Sequence, residues 1–323
     1  LWGIDSKGKR VLVRDKGFRP YFYLLVANET PINRIADQIA TEKSRYPDVE
    51  RIEVVEKKFF GKKVKAIRII CRDPEMITKY AESMAKIDGV KDHVEDDLRS
   101  SFRYIVVNDL RPCGWHQIEV REAPEHVNVQ VDKVFEAVKT PTPNDRVGAP
   151  SVRMLAFSIV CFSQRGAPKP SRDPIVIIST CTSDEKEKQF VASDLNDKKI
   201  ISDFVNYVKQ YDPDVIVGYG NNKFDWPYLL ERAKLTGTKL TLDRMKSEPH
   251  TSLYGHVSVT GRANVDVFDL AKDIPEVKIK SLENLADFLV VKKTERTLID
   301  EVDLSTYWVD NRKRRIILKF STE

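Results

Sequence analysis

The stretch DVIVGYGNNKFDWPYL, residues 214–229, decides how the fold of this chain is interpreted. Its first part, residues 214–219, is short and apolar and predicts a buried strand, and the run from Trp226 or Pro227 to Leu235 predicts a helix with proline in its first turn. A strand that leads into a loop and a helix N-terminus puts Asp225 at the carboxyl edge of a sheet, where open α/β domains bind ligands and metals. Asp is also a favoured helix cap, so the stretch alone leaves Asp225 with either role or both.

The segments before this stretch alternate between strand and helix patterns. Apolar runs at residues 154–162 and 175–181 predict two strands, joined by a loop as a hairpin of a central sheet. Helical spacing predicts a helix over residues 200–210. Alternating strands and helices of this kind indicate an α/β domain.

A smaller α+β layer is predicted in front of that domain, over residues 1–110. The predicted elements are strands at residues 11–13 and 20–26, a helix at residues 31–40, a hairpin of residues 52–60 and 64–71 that turns around Gly61-Lys62, and a helix that starts at Asp73-Pro74. Between residues 123 and 150 the density of proline and glycine is typical of a domain connection. We therefore predict two domains, residues 1–148 and 149–323, with the boundary near Gly148.

Composition narrows the class of protein without identifying it. The 323 residues carry a formal net charge of +5, a mild basicity that permits nucleic-acid binding without demonstrating it. The four cysteines lie far apart with no C-x-x-C pair, which argues against a disulfide framework or a zinc ribbon and indicates a reducing compartment, the cytoplasm. No apolar run is long enough for a membrane span. Because the sequence starts at Leu1 and ends at Glu323 in a helical pattern, we expect a fragment.

Residues 214–229 resemble the second exonuclease motif of archaeal-type family B DNA polymerases, an Asn followed shortly by an aromatic residue and Asp. Residues 18–23 (FRPYFY), 55–62 (VEKKFFGK) and 261–270 (GRANVDVFDL) resemble other stretches of archaeal members in the same order. The resemblance covers nearly the whole chain. It implies an N-terminal domain with an RNA-binding-like core, followed by an RNase H-like 3′–5′ exonuclease domain. It also implies a polymerase domain, with its Mg²⁺, outside this sequence.

The chain departs from the family at the first exonuclease motif, which is Asp-Ile-Glu on the first strand of the domain. Alternate strand residues share a face, so that motif supplies two carboxylates to a pair of divalent cations. Here Ser158 stands at the Asp position and Val160 at the Glu position. A hydroxyl is a weak neutral ligand for a hard cation, and valine offers none. We therefore predict a degenerate exonuclease site of Ser158, Val160 and Asp225 that has no activity and holds no metal.

The third exonuclease motif of the family is an aromatic residue followed four positions later by Asp. When this motif is aligned with the chain, its aromatic residue falls on Phe320, and the sequence ends before the position where the Asp would stand. Asp310 follows Tyr307 at a spacing one residue too short. Asp266 and Asp269 are interpreted as strand-end or helix-cap residues, and the five histidines show no metal-ligand spacing.

A basic segment coincides with the predicted hairpin of the first domain. Five lysines surround Phe59 and Phe60 there, namely Lys57, Lys58, Lys62, Lys63 and Lys65. Cations that contact phosphates and aromatic rings that stack on bases are the two components of single-strand binding. The alternative is a solvated charged face with the phenylalanines in the core. Residues 165–172 and 312–315 are secondary candidates of the same kind.

The resemblance also implies a template-base pocket in the N-terminal domain, which captures uracil in archaeal members. The positions that match its lining are Trp2, Pro20, Tyr21, Pro74 and Ile77, with Arg103 as a contact to the DNA backbone. Where the family has Pro-Phe before its helix-borne Arg, this chain has Arg99-Ser100, which changes the pocket floor. For Pro20-Tyr21 the alternative is a strand start packed in the core.

These patterns together predict the N-terminal, template-binding part of a family B DNA polymerase that has lost proofreading. The predicted partners are single-stranded template and primer-template DNA, and the resemblance implies a sliding clamp that binds through a region outside this sequence. Two other functions stay open. One is an active nuclease with substitute ligands, and the other is a protein-interaction scaffold that no longer binds DNA.

Overall fold

The computed structural model describes residues 1–124, 127–148, 150–252, 254–291 and 297–323. The chain divides into two compact units. The first comprises Leu1, Val13–Pro124 and Val134–Gly148, and the second comprises Trp2–Leu12, Glu125–Lys133 and Ala149–Glu323. Ala149, the first residue of the predicted second domain, lies outside the described residues, so the position of that boundary stays a prediction.

The first half of the chain contains ten strands and three α-helices within the described residues. They are β1 (Trp2–Ile4), β2 (Arg10–Arg14), β3 (Tyr21–Val26), α1 (Ile32–Thr41), β4 (Val49–Phe59), β5 (Lys62–Cys71), α2 (Ile77–Met84) after a 3₁₀ turn at Pro74–Met76, β6 (Val90–Val94), α3 (Ser100–Val107), β7 (His116–Gln117), β8 (Val120–Glu122), β9 (Lys133–Ala137) and β10 (Thr142–Pro143). Asp73 accepts a hydrogen bond from the Glu75 amide, so the predicted helix start with proline in its first turn is confirmed.

The first unit is built on a four-stranded antiparallel sheet in the order β4-β5-β3-β6, against which α1 and α2 pack. The βαββαβ order is that of ferredoxin-like folds. Phe22 and Leu24 of β3 share a buried core with Ile35 of α1 and Ile77 of α2, whereas Tyr23, one residue out of phase, packs on the opposite face. The predicted α+β layer is confirmed.

The β4–β5 hairpin turns one residue earlier than predicted. Phe59 pairs with Lys62, so the loop is Phe60-Gly61 and not Gly61-Lys62. Both loop residues have positive φ, 46° and 79°, as a two-residue turn of type I′ requires. Because a shift of one residue moves each side chain to the other face, this register decides where the neighbouring lysines point.

The second half of the chain contains the elements of the larger α/β unit. They are β11 (Met154–Cys161), β12 (Ile175–Thr182), β13 (Glu187–Val191), α4 (Lys198–Tyr211), β14 (Val215–Gly218), α5 (Asp225–Leu235), β15 (His250–Thr251), β16 (Val257–Ser258), β17 (Ala263–Asp266), α6 (Val267–Ala271), α7 (Leu282–Phe288), α8 (Leu304–Val309) after a 3₁₀ turn at residues 301–303, and α9 (Arg314–Thr322). None of the helices in the described ranges is both long enough and apolar enough to cross a membrane.

A five-stranded mixed sheet in the order β13-β12-β11-β14-β17 forms the centre of this unit. The β11–β12 and β12–β13 pairs are antiparallel, and the β11–β14 and β14–β17 pairs are parallel. On one face Phe157 contacts Phe204 of α4 and Trp226 of α5, with ring centroids 5.3 and 4.8 Å apart. The other face bears α9, whose Ser321 hydroxyl is hydrogen-bonded to the Ser179 hydroxyl of β12. The predicted hairpin of the central sheet and the α/β class are confirmed.

An ionic cluster at the amino end of β14 includes Arg10, the first residue of β2. It contains two carboxylates and four guanidinium groups, from Asp212, Asp214, Arg10, Arg153, Arg244 and Arg262. Arg10 donates to both carboxylate oxygens of Asp214, at 3.3 and 2.9 Å. Such charge-assisted bonds help to hold residues 2–12 within this unit.

Candidate functional site

The loop after β14 is held in place by one carboxylate. Asp266, at the end of β17, accepts hydrogen bonds from the amides of Gly220 and Asn222, at 2.7 and 3.0 Å, and from the amide of Phe268 at 3.0 Å, which caps α6. The predicted strand-end and capping role of Asp266 is confirmed. The Asp266 carboxylate thus accepts hydrogen bonds from three backbone amides, and these bonds fix the conformation of the loop after β14.

Asp225 lies directly against the first strand of the sheet. Its Oδ1 atom accepts a hydrogen bond of 2.9 Å from the amide of Ile159. Asp225 is the first residue of α5, and Phe224 occupies the cap position, so the alternative of Asp225 as the helix cap is wrong. The loop and the start of α5 place the Asp225 carboxylate against the strand segment that carries Ser158 and Val160. Asp225 as a whole is only 7% exposed.

Burial raises the pKa of Asp225 from its usual 3.8 to about 6, and repulsion from Asp266 adds to that rise. The Ile159 amide, which favours the ionised form, opposes both effects. Among the described residues Asp225 has no cationic partner, so this buried carboxyl group carries a free-energy penalty whenever it is ionised.

We expect Asp225→Asn to stabilise the chain at pH 8 and to flatten its pH dependence. The native chain holds the Asp225 proton more tightly than the unfolded chain does, so the free energy of unfolding should fall as pH rises from about 4 to about 6. The full loss is about 3 kcal/mol at most. Asn keeps an oxygen for the Ile159 amide and removes the charge. Urea unfolding from pH 4 to 8 measures the effect, and equal stability of both chains at pH 8 would contradict it.

Ser158 and Val160 lie on the same face of β11 but in different surroundings. Ser158 is exposed, and it pairs across the ladder with Ser179, whose hydroxyl accepts a hydrogen bond of 3.1 Å from Gln189. Val160 is buried in the apolar core of the unit. The β11 side chains on either side of Ile159 are thus a hydroxyl and an aliphatic group, which do not fit a pair of divalent cations. Within the described ranges, no three His, Cys, Asp or Glu side chains form a group that could hold a metal.

The third exonuclease motif has a second possible placement in this chain, which starts at Tyr307 and not at Phe320. Phe320 is half-buried near the end of α9. Tyr307 of α8 is an equally suitable aromatic residue, and the position four residues after it is Asn311. Asp310 accepts a hydrogen bond of 2.8 Å from the Arg312 amide in the turn before α9. Counting from Tyr307 therefore puts a neutral amide where the family motif has Asp.

The residues predicted to line the template-base pocket lie in different environments. Arg103 is buried with its guanidinium 4.1 Å from the Tyr21 ring centroid, and it donates hydrogen bonds to the Glu95 carboxylate and carbonyl at 2.9 and 2.6 Å. Ile77 lies in the core below the opposite face of the sheet. The structure therefore brings Tyr21 and Arg103 together and packs Ile77 in a separate cluster.

The other three pocket positions also differ in their surroundings. Pro20 is buried before β3 and Pro74 is exposed in the turn before α2. Trp2 belongs to the second unit, where its ring lies beside Gly261. The pocket assignment stays a prediction.

The β4–β5 hairpin presents its lysines on both faces. Lys58 and Lys63 are directly opposite one another in the ladder, and Lys57 and Lys62 point to the other face, where the Lys57 ammonium lies 5.1 Å from the Tyr23 ring centroid. Phe59 is half-buried, and Phe60 at the tip is 91% exposed. The hairpin therefore combines cations and an accessible aromatic ring.

The two secondary basic segments are more strongly engaged with neighbouring groups. Arg172 is paired with Asp173 at 2.7 Å. Arg314 lies 3.9 Å from the Trp308 ring centroid, and Lys313 lies 5.1 Å from that of Tyr307. The geometry thus makes the hairpin the more available of the predicted nucleic-acid contacts.

Comparison with known proteins gives one consistent result. A family model described as DNA polymerase family B, exonuclease domain, matches residues 91–195 and 190–284, more than half of the chain. DNA polymerase 2 of Aeropyrum pernix is 37% identical over 99% of this chain and 40% of its own length, and the DNA polymerase of Archaeoglobus fulgidus is 32% identical over 98% and 38%. The solved family B DNA polymerase of Pyrobaculum calidifontis superimposes with a TM-score of 0.89 at 39% identity, over 99% of this chain and 41% of that one. The chain spans about two fifths of the length of these relatives.

Proposed function

Because this chain belongs to the archaeal family B DNA polymerases, with the exonuclease domain of that family, we propose that it is a DNA-binding module whose proofreading site is inactivated by substitution. One observation carries the proposal. Asp225 is hydrogen-bonded to β11 between Ser158 and Val160, so the segment where carboxylates are needed carries a hydroxyl and an aliphatic group.

The inactivation follows from the charge that a proofreading site must balance. Two divalent cations activate the attacking water and stabilise the leaving oxygen, and their four positive charges need several carboxylates. Here β11 carries no carboxylate, Asp266 is occupied by three backbone amides, and the Tyr307 placement of the third motif has Asn311 at the Asp position. The remaining residues can still shape a groove, but they cannot hold the reacting cations.

A nuclease with substitute ligands is the weaker candidate. Asp266 is occupied by three backbone amides, and Asp269 forms an exposed pair with Lys272. Neither is free to replace the two missing carboxylates without disrupting the loop or a helix. The scaffold alternative differs from our proposal only in DNA binding, which experiment distinguishes directly.

The remaining parts of the proposal concern the protein as a whole. The mixed sheet of the second unit supports the RNase H-like assignment. Nucleotidyl transfer with Mg²⁺, primer-template binding and contact with a sliding clamp would depend on residues outside this sequence. We propose these by relation to the family.

We expect the chain to bind single-stranded DNA with an affinity that falls steeply as salt increases. Each phosphate contact to a single strand contributes about 0.7 to the slope of log affinity against log salt. The Lys58→Gln, Lys63→Gln variant should therefore lower that slope by about 1.4. Fluorescence anisotropy with a labelled oligothymidine measures it. Lys43→Gln, Lys79→Gln, which changes two exposed lysines outside the hairpin, is the matched control. A salt-independent affinity or none at low salt would favour the scaffold.

We expect little preference for uracil over thymine in a DNA template. Discrimination requires polar groups placed to exclude the thymine methyl, and Arg99-Ser100 changes the wall that the family uses. Arg103 is already held by Glu95, and Ile77 is packed in the core. Anisotropy on matched oligonucleotides measures the ratio. A preference above about tenfold, or 1.4 kcal/mol, would show that the pocket is intact.

A further inference from the structure

The tip of the β4–β5 hairpin combines two features that do not favour folding. Phe60 has φ of 46°, a left-handed conformation in which a bulky side chain is an outlier, and a type I′ turn prefers Asn at this position. Its side chain is also 91% exposed, and its ring contacts only that of Phe59, with centroids 4.6 Å apart, among the ring pairs of the described residues. An aromatic residue that is both strained and exposed points to a role outside folding.

The lysine charges beside the tip also do not favour folding. Lys58 and Lys63 face each other directly across the ladder, and like charges at opposed positions repel. Neither these two nor Lys62 has a salt bridge in the part of the chain that the structure describes. Between residues 56 and 65 there are five lysines and one glutamate. An anionic ligand would relieve this repulsion.

The cations occupy both faces of the ribbon. Successive strand residues point to opposite sides, so Lys58 and Lys63 lie on one face while Lys57 and Lys62 lie on the other. The ribbon from Lys57 to the tip extends about 10 Å, and phosphates on one DNA strand are spaced about 3.4 Å apart along the axis. Each face can therefore contact a short run of phosphates, and the two faces suit two separate strands.

We propose that the hairpin tip binds the junction of a DNA fork, where one duplex opens into two single strands. Phe60 stacks on the last base pair, Lys58 and Lys63 contact the phosphates of one arm, and Lys57 and Lys62 contact those of the other. This inference rests on the proposed DNA-binding function and names its substrate class. A flat single-strand platform would instead expose its rings on one sheet face, whereas Tyr23 on the sheet face is buried.

The test compares three DNAs of the same sequence, a single strand, a blunt duplex and a fork with two unpaired arms, each bound to the full 323-residue chain. We expect the fork to bind at least tenfold more tightly than either other DNA. A 2-aminopurine at the last base pair should change its fluorescence on binding. Phe60→Asn should remove this preference and this signal without lowering the melting temperature, because Asn suits the turn. Phe60→Trp should keep both.

The outcomes separate this inference from the function on which it rests. Equal affinity of the wild-type chain for fork and single strand, or an unchanged fork preference in Phe60→Asn, overturns the junction assignment and leaves lysine-dependent single-strand binding intact. A fall in the ratio of fork to single-strand affinity from at least tenfold to about one in Phe60→Asn supports it. If no DNA binds even at low salt, both the junction assignment and the proposed function fail.

Discussion

The chain should release no nucleotides from the 3′ end of single-stranded or mismatched DNA in Mg²⁺ or Mn²⁺, whereas the Ser158→Asp, Val160→Glu variant should gain a Mn²⁺ site. In the wild-type chain the β11 segment beside Asp225 carries no carboxylate, and Asp266 is occupied by three backbone amides. Loss of one group that supports a bound metal changes affinity about 10–100-fold, so two added carboxylates should raise Mn²⁺ affinity at least that much. Calorimetric titration measures the affinity, and gel analysis of labelled DNA measures nucleotide release.

The two substitutions differ in their structural cost, which supplies the controls. Ser158 is exposed, so Ser158→Asp alone should fold normally, whereas Val160 is buried and Val160→Glu should lower stability. Adding Asp225→Asn to the double variant should abolish the new Mn²⁺ site. Metal-dependent nucleotide release by the wild-type chain, abolished by Asp225→Ala, would contradict the inactivation. So would two ions about 4 Å apart beside Asp225 in a crystal soaked in Mn²⁺.

The sequence predicted the elements that have strong local patterns. The apolar runs of β11 and β12 and the amphipathic spacing of α4 specify these elements almost alone. β6, with the sequence VKDHV, was missed, because it is largely polar and forms a strand through its pairing with β3. The same reason applies to β13, which lies at one edge of the central sheet.

The residues of the candidate site could be predicted from the sequence, but the contacts between them could not. Ser158, Val160 and Asp225 could be named from motif positions, yet the bond between Asp225 and the Ile159 amide joins residues 66 positions apart and depends on the packed sheet. The lysine faces of the hairpin depended on a turn register that the sequence placed one residue too late. Residues 2–12 belong to the second unit, where Arg10 pairs with Asp214, and no local pattern predicts that long-range pair.

The helix that carries Asp225 is anchored at its other end by a buried ion pair. Arg232 of α5 donates two hydrogen bonds, of 2.7 and 2.8 Å, to the carboxylate of Asp197, which is fully buried at the start of α4. Asp197 also accepts the Ile175 amide of β12 at 3.0 Å, and Arg232 donates to the Pro170 carbonyl at 2.9 Å. One pair therefore joins two helices, a strand and a loop.

We expect Arg232→Leu to lower the free energy of unfolding of the second unit by about 3–5 kcal/mol, because it leaves the Asp197 carboxylate buried without its partner. Lys199→Gln, which removes one partner of the exposed Lys199–Asp203 pair on α4, should cost no more than about 1 kcal/mol and serves as the control. The Asp197→Asn, Arg232→Leu variant should recover part of the loss, since no unpaired charge remains. Urea unfolding measures these differences, and hydrogen exchange of the Ile159 amide shows whether α5 has loosened at Asp225. If Arg232→Leu costs no more than Lys199→Gln, the pair does not anchor α5, and the position of Asp225 against β11 must depend on the packing of Trp226 and Phe157 instead.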